Sequence, residues 1–358
     1  MKSGFMTERV YIRPLGLLHG QDAAAAIAAG AASPLAGGTS AFSLAEIIRR
    51  EGPGGKITRR MATWPELPAL TRNDNRLEQQ LRALQEPRAP IAGLDWSRPV
   101  IMGIVNVTPD SFSDGGRFAR ARQAIEHGRA LAAAGADILD IGGESTRPGA
   151  QEVPVEEELE RVVPVVEALA KEGFRISVDT RKSQVMSEAA KAGAAILNDV
   201  SALTFDPAAR QTAACAGLPV VLMHAQGLPE TMQDNPQYAD VTLDVFDALQ
   251  SLIEAATAAG IDEEQIIADP GIGFGKTCAD NLSLMRNLPL FHALGRPLLL
   301  GASRKSFIGQ VTGVAGAAER LAGSLAAAQA GLAGAAQILR VHDVAQTVQM
   351  ARMWRAML

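Results

Sequence analysis

From about residue 99 onward, short apolar runs alternate with alanine-rich segments of helical period. Apolar runs bounded by turn residues predict buried strands, and apolar residues that recur every three or four positions predict helices. The predicted strands span residues 100–105, 137–141, 176–178, 196–198, 220–223, 266–268, 298–300 and 337–341. The predicted helices span residues 121–134, 155–170, 183–192, 207–216, 241–259, 281–294, 315–333 and 342–357. Such a succession of strand–helix units predicts a parallel α/β fold.

Polar residues follow nearly every predicted strand, and they favour one parallel fold over another. A doubly wound sheet would not require eight strands or polar residues at almost every carboxyl end. In a (β/α)8 TIM barrel, all eight carboxyl ends meet on one face, where active sites lie. The amino-terminal ends of the strands carry little beyond turn residues. We therefore predict an α/β protein whose residues 96–358 form a (β/α)8 TIM barrel.

Residues 1–95 do not follow this pattern and are predicted to be an N-terminal extension of α+β structure and unknown function. Residues 8–14 have the pattern of a strand, and residues 41–50 and 77–84 have the pattern of helices. Glycines near residues 52–55 predict a turn, and the prolines of residues 86–90 predict a linker. Because large apolar residues are few, this segment is expected to pack on the barrel instead of folding alone.

Composition narrows the function classes. With 47% hydrophobic and 20% charged residues, the chain can bury a full core. The net charge of −5 and the lack of a long basic run argue against a nucleic-acid partner. The alanine-rich residues 23–32 are too short and too often interrupted by glycine to cross a membrane. Cys215 and Cys278 have no metal or disulfide spacing, and no signal peptide is evident, so we expect a cytoplasmic protein with no membrane partner.

The residues at the strand ends have the chemistry to bind a flat heterocycle and an anion. Carboxylates accept hydrogen bonds from ring N–H and exocyclic amino groups, and amides offer both polarities. Clustered cations and a threonine hydroxyl suit phosphate oxygens. The acids and amides are Asp179, Asp269, Asn106 and Asn198, and the anion-binding groups are Thr146, Arg147, Lys305, Arg340 and His342.

Residues 271–277 (GIGFGKT) end like a phosphate-binding P-loop, but their spacing is wrong. That motif needs four residues between its first glycine and the Gly-Lys-Thr element. Pro270 occupies the required glycine position, and a start at Gly271 is one residue short. An ATPase function is therefore rejected.

Two segments carry a specific resemblance to a known family. They are residues 102–116 (MGIVNVTPDSFSDGG) and residues 140–149 (DIGGESTRPG). With residues 176–183, 196–202, 268–276, 301–309 and 340–344, they make the chain resemble dihydropteroate synthase, the folate-pathway transferase inhibited by sulfonamides. The resemblance covers the whole predicted barrel and leaves the first 95 residues outside it.

The resemblance implies the condensation of 6-hydroxymethyl-7,8-dihydropterin diphosphate with p-aminobenzoate, which yields 7,8-dihydropteroate and pyrophosphate. It implies catalytic roles for Asp179, Lys305 and Asn106, of which Asn106 would bind Mg²⁺. Family members are usually homodimers. The implied pterin site is Asp179, Asn198, Asp269 and Lys305, the diphosphate site is Thr146, Arg340 and His342, and the p-aminobenzoate site is Pro148, Phe274, Ser303 and Ser306.

Two other functions are compatible with a pterin-binding barrel. A methyltetrahydrofolate-dependent corrinoid methyltransferase would share the acid and amide set, but it would not need the motifs around Thr146, Ser303 and Arg340. A non-catalytic pterin-binding paralogue is expected to have lost a diphosphate or arylamine residue, and none is lost here.

Overall fold

The N-terminal extension folds as an antiparallel sheet with three helices. The computed structural model describes residues 8–52, 54–108, 117–145, 150–227 and 231–358. The central strand of this sheet, β3, pairs with β1 along one edge and with β2 and β4 along the other. The elements of the extension are β1 (Arg9–His19), α1 (Gly20–Ala28), β2 (Ser33–Leu35), β3 (Ser40–Arg50), β4 (Ile57–Thr63), α2 (Leu67–Thr71) and α3 (Asn75–Gln85).

The helix predicted for residues 41–50 is wrong, because these residues form β3. Partners on both edges supply the backbone hydrogen bonds of β3, and β1 pairs with it from residue 40 to residue 50. Such long-range pairing overrides a local helical pattern. The strand predicted for residues 8–14 and the helix predicted for residues 77–84 are confirmed within β1 and α3.

The extension packs on the side of the barrel, as expected. Tyr11 lies edge-on to Phe246 with ring centroids 5.4 Å apart. Its hydroxyl donates to the carboxylate of Asp247 at 2.9–3.0 Å. Phe42 and Leu77 are fully buried in the same apolar cluster as Phe246. The extension and the barrel therefore share one hydrophobic core.

The second part of the chain is the predicted barrel. Its strands are all parallel and follow each other around the sheet, with the last strand back beside the first. A bridge between Ala268 and Leu298 closes the remaining gap. Each predicted strand is observed with its ends shifted by one residue at most. The strands are β5 (Val100–Asn106), β6 (Ile138–Gly142), β7 (Ile176–Asp179), β8 (Ile196–Asp199), β9 (Val220–Met223), β10 (Ile266–Asp269), β11 (Leu299–Leu300) and β12 (Ile338–Val341).

The interior of the barrel is a packed apolar core. Side chains from most of the strands fill it, among them Met102, Ile196 and Val221, all fully buried. Ile91 and Leu94 from the segment before β5 join this cluster at the amino-terminal end of the barrel. Since the amino-terminal end is filled, the carboxyl end is left as the face that can receive ligands.

Helices cover the outside of the barrel. They are α4 (Arg117–Ala133), α5 (Val155–Lys171), α6 (Ser183–Lys191), α7 (Ala209–Ala216), α8 (Val241–Ala258), α9 (Cys278–Arg286), α10 (Ser306–Thr312), α11 (Leu321–Ala333) and α12 (Val344–Ala356). The helix predicted for residues 281–294 is in fact α9 followed by a 3-10 helix, Leu288–Leu294. Pro289 explains the break, because a proline disfavours helical geometry in the residue before it. The short helix α10 lies outside the predicted helix ranges.

Candidate active site

The structure places the predicted site residues at the carboxyl end of the barrel. Asn106 ends β5, Asp179 ends β7, and Asn198 lies in β8. Asp269 ends β10, and Phe274 lies in the loop that follows it. Ser303 and Lys305 lie between β11 and α10, Ser306 is the first residue of α10, Arg340 lies in β12, and His342 follows β12. Thr146 and Pro148 lie outside the described residues. The signature that contains them therefore has no structural description beyond Ser145.

The guanidinium of Arg340 joins two carboxylates at the centre of this face. Its Nε atom donates to Asp140 Oδ2 and its Nη2 atom to Asp179 Oδ2, each at 2.6 Å. Asn198 donates its amide to the Asp140 carboxylate at 3.1 and 3.3 Å. Asp140, Asp179 and Asn198 are all buried, and together with Arg340 they form what we call the arginine cluster. Charge-assisted bonds of this kind fix the orientation of planar groups, so the cluster holds Asp179 and Asn198 in place beneath the site.

Asp179 is poised to change its charge near neutral pH. Burial raises the pKa of Asp179 to about 7, and the neighbouring Asp140 carboxylate adds to this rise, while Arg340 offsets part of it. A carboxyl group with such a raised pKa in a cleft is a mark of a functional site. It can accept hydrogen bonds from a ligand or stabilise a developing positive charge.

Lys305 and Phe274 form a second pair, next to Asp269. The Lys305 Nζ atom lies 3.8 Å from the centroid of the Phe274 ring, a cation–π geometry. Burial lowers the pKa of Lys305 to about 7, and the nearby Arg340 contributes to this fall. Burial also raises the pKa of Asp269, whose Oδ1 atom accepts the backbone N–H of Gly271 at 2.7 Å. A flat ring and an anion could both bind here.

The loop that presents Phe274 is held from behind by Lys276. The ammonium of Lys276 contacts Nδ1 of His224 at 3.0 Å and donates to the carbonyl of Phe274 at 2.9 Å. Burial lowers the pKa of Lys276 to about 7. Thr277 accepts the backbone N–H of Asp280 and so caps α9. In a P-loop the lysine and threonine would bind phosphate, but here Lys276 and Thr277 bind other groups of the protein. This agrees with the rejection of an ATPase.

Ser303 and His342 meet across the strand ends of β11 and β12. The Ser303 hydroxyl lies 3.1 Å from Nδ1 of His342 and accepts the backbone N–H of the same residue at 3.2 Å. Ser306 is exposed at the first turn of α10. Asn106 is half-buried at the end of β5.

Sequence reasoning missed Asp140 and Lys276 as members of the site. Asp140 is fully buried in the middle of β6, where the pattern shows only an acid within an apolar run. An acid in a buried strand was the available signal, because an unpaired carboxylate is too costly to bury. Lys276 was seen only as part of the false P-loop. Tertiary contacts, not spacing, assign both residues to the site.

A buried ion-pair group supports the loop after β6. Glu144 accepts Arg181 Nε at 2.7 Å and also binds the ammonium of Lys182, which in turn binds Glu158. Glu144 also accepts the backbone N–H of Val153 at 2.9 Å. Through Glu144 and Val153, this group connects the residues that precede and follow Thr146 and Pro148 in the chain.

Metal binding at this face would depend on few protein ligands. Within the described ranges, no group of three or more histidine, cysteine or acidic residues is placed to hold an ion. A hard cation that is bound mainly through substrate phosphates needs only one or two oxygen ligands from the protein. The half-buried Asn106 amide at the end of β5 fits that requirement.

The barrel matches the sequence model of a known enzyme family. The sequence model of the family described as "Pterin binding enzyme" matches residues 102–342, the barrel from β5 to the end of β12. The chain therefore belongs to the pterin-binding enzymes. Among the helices that the structure describes, none is long and apolar enough to cross a membrane.

Within the pterin-binding enzymes, the individual proteins similar to this chain belong to one family. The dihydropteroate synthases of Escherichia coli K12 and Neisseria meningitidis MC58 are each 52% identical to the chain, over 74% of its length and 94% of theirs. A solved dihydropteroate synthase of Xanthomonas albilineans with 4-aminobenzoic acid is 51% identical with a TM-score of 0.71, and it covers 76% of this chain and 98% of that one. The enzyme of Yersinia pestis with a sulfonamide drug is 49% identical with a TM-score of 0.70, covering 74% and 96%. The family of this chain is that of the dihydropteroate synthases.

Proposed function

We propose that the chain condenses 6-hydroxymethyl-7,8-dihydropterin diphosphate with p-aminobenzoate, releasing 7,8-dihydropteroate and pyrophosphate. The observation that carries the proposal is the convergence of two buried acids, a buried amide and two cations on one face of a barrel of this family. Solved relatives bind 4-aminobenzoic acid, 7,8-dihydropteroate and a sulfonamide drug, which supports the same ligands here.

The pterin ring would bind over the arginine cluster. Asp269 would accept hydrogen bonds from the ring N–H and amino groups, as a carboxylate with two oxygens can. Asn198 would offer its amide oxygen, because its nitrogen already donates to Asp140. Asp179 and Lys305 would lie on either side of the ring.

The diphosphate would bind between the ends of β5 and β12. Thr146, Arg340 and His342 would supply its donors, and Asn106 would bind the accompanying Mg²⁺ through its amide oxygen. Magnesium, when bound there, neutralises charge on a leaving diphosphate. The pairing of Arg340 with Asp140 and Asp179 supports a fixed position for this guanidinium before any ligand arrives.

The p-aminobenzoate would lie against the Phe274 ring, beside Pro148. Its carboxylate would meet the Ser306 hydroxyl and the backbone N–H groups at the start of α10, while Ser303 would line the pocket with its hydroxyl bound to His342. A sulfonamide shares the aniline and an acidic oxygen group with this substrate, so it would occupy the same pocket.

The residue types suit a substitution at the pterin methylene carbon. The bond from this carbon to the diphosphate oxygen breaks, and the departing pyrophosphate takes the electron pair. Asp179 beside the ring stabilises the positive charge that remains on the pterin. The neutral amine of p-aminobenzoate forms the new C–N bond and then loses a proton, so no strong general base is needed.

We also propose that the protein is a cytoplasmic homodimer. Cys215 and Cys278 are both free thiols in the structure, as a reducing compartment would keep them. Met353 and Met357 expose 60% of their surface on the last helix, which offers apolar contact area. Sedimentation velocity would report the oligomeric state directly.

The decisive test of the function is pyrophosphate release by the purified protein. Release should require both the pterin diphosphate and p-aminobenzoate, and it should fall when Mg²⁺ is chelated. Release that proceeds without p-aminobenzoate would indicate a hydrolase, and no release at all would refute the proposal.

A further inference from the structure

The carboxylate of Asp244, in the first turn of α8, joins the N-terminal extension to the loop that precedes this helix. Its Oδ1 atom accepts Nη1 of Arg50, the last residue of β3. Its Oδ2 atom accepts the backbone N–H groups of Ala239 and Asp240 at 2.8 and 3.2 Å. One side chain thus links a strand of the extension to the end of the loop between β9 and α8.

The extension holds this carboxylate firmly. The Arg50 side chain is only 2% exposed, and its Nη2 atom donates to Asp247 at 2.8 Å. On the neighbouring strand, Arg59 reaches Asp240 at 3.3 Å. Because a buried guanidinium with two carboxylate partners has little freedom to move, Asp244 is kept in one orientation.

The same loop contacts the segment that carries Phe274. The Tyr238 hydroxyl donates to the carbonyl of Gly275 at 2.7 Å, and the Gln233 amide donates to the carbonyl of Gly273 at 2.7 Å. A Cβ atom on Gly275 would lie 2.3 Å from the carbonyl oxygen of Gln226, so the two backbones touch. The backbone carbonyls on both sides of Phe274 are therefore held by residues of the loop between β9 and α8.

From this chain of contacts we propose that Arg50 of the extension is a positioning residue for the p-aminobenzoate site. Arg50 orients Asp244, Asp244 fixes the end of the loop at Ala239 and Asp240, and the loop holds the Phe274 segment against Lys305. The inference rests on the proposed function for the identity of the ligand at Phe274. Asp179 and Asn198 are held by Arg340 and Asp140, away from this path, and only Asp269 touches it, through the backbone N–H of Gly271. The larger effect is therefore expected for the second substrate.

The test compares Arg50→Met with Arg60→Met. Arg60 is an exposed residue of β4 in the same extension and serves as the matched control. Deletion of the whole extension is avoided, because it would uncover Phe246 of the barrel, which is buried against Tyr11. Steady-state pyrophosphate release gives the KM for each substrate, and hydrogen–deuterium exchange reports on residues 231–240 and 271–277.

The expected result for Arg50→Met is a KM for p-aminobenzoate raised about three- to tenfold, with a smaller change in the KM for pterin diphosphate. Exchange should quicken in both peptides, Arg50→Lys should restore part of the loss, and Arg60→Met should match the wild type. Unchanged kinetics and unchanged exchange in a folded Arg50→Met protein would overturn the proposal, as would an equal rise in both KM values.

Two further measurements keep the outcomes separate. If Arg50→Met does not fold, Arg59→Met removes the exposed contact to Asp240, and it must quicken exchange in residues 231–240 or the proposal fails. If the wild type releases no pyrophosphate, the proposed function fails. The exchange measurement does not depend on activity and still decides whether the extension braces the loop.

Discussion

Replacing Asp140 with asparagine removes the carboxylate that Arg340 and Asn198 share. The change keeps the shape of the side chain but leaves it one oxygen acceptor and one NH₂ donor. In the native protein both neighbours donate to Asp140, at 2.6 Å from Arg340 and 3.1 Å from Asn198. An asparagine oxygen in the Oδ2 position can still accept from both neighbours, but it carries no charge to pair with Arg340. Its NH₂ group takes the Oδ1 position and faces the NH₂ group of Asn198, so two donors meet there.

The cost follows from the burial of this cluster. Asp140 is fully buried, so water cannot replace the lost acceptor. A lost hydrogen bond to a charged group contributes about 1.5–3 kcal/mol, and a buried charge deprived of its only partner costs about 3–5 kcal/mol. Because Arg340 keeps its 2.6 Å bond to Asp179, we expect a loss within the smaller of these two ranges, about 2–3 kcal/mol of unfolding free energy.

Activity should fall with stability, because Arg340 and Asn198 lose their common support. We expect kcat/KM to drop at least about tenfold, which corresponds to about 1.4 kcal/mol. Urea denaturation measures the first quantity and pyrophosphate release the second. The matched control is Glu172→Gln, which removes the exposed pair with Arg129 and should cost less than about 1 kcal/mol. An Asp140→Asn protein with native stability and native kcat/KM would refute the structural role assigned to this acid.

Four other outcomes follow from the same site. Asp269→Ala removes the acceptor proposed for the pterin N–H groups, so calorimetry should show pterin diphosphate affinity reduced well over tenfold, and equal affinity would contradict that assignment. The pKa of Lys305 is about 7, so its charge is lost as the pH rises above 7 and affinity for the anionic pterin diphosphate should then fall, by at most about tenfold per pH unit. Lys305→Arg stays charged and should weaken this dependence, whereas an unchanged slope would assign it to Asp179 or Lys276, whose pKa values are also about 7. Ser306→Ala should raise the KM for p-aminobenzoate and leave pterin affinity unchanged, and sulfamethoxazole should compete with p-aminobenzoate, which a non-competitive pattern would disprove.

The sequence alone determined the barrel and most of its binding face. Strands of a parallel barrel are buried on both sides, so they appear as continuous apolar runs, and all eight were predicted to within a residue at either end. The polar residues that end those runs must point to one face, which is why the strand pattern by itself places Asp179, Asn198 and Asp269 together.

Only the tertiary structure decided the rest, because it depends on contacts between remote segments. Residues 41–50 became a strand through pairing with β1 and β4, which no local pattern contains. Asp140 joined the site because Arg340, 200 residues later, donates to it. The extension gained a proposed role only through Arg50 and Asp244, which lie 194 positions apart. Local periodicity reports which face of an element is buried, but the partner that buries it, or pairs its charge, is set by the packing of the whole chain.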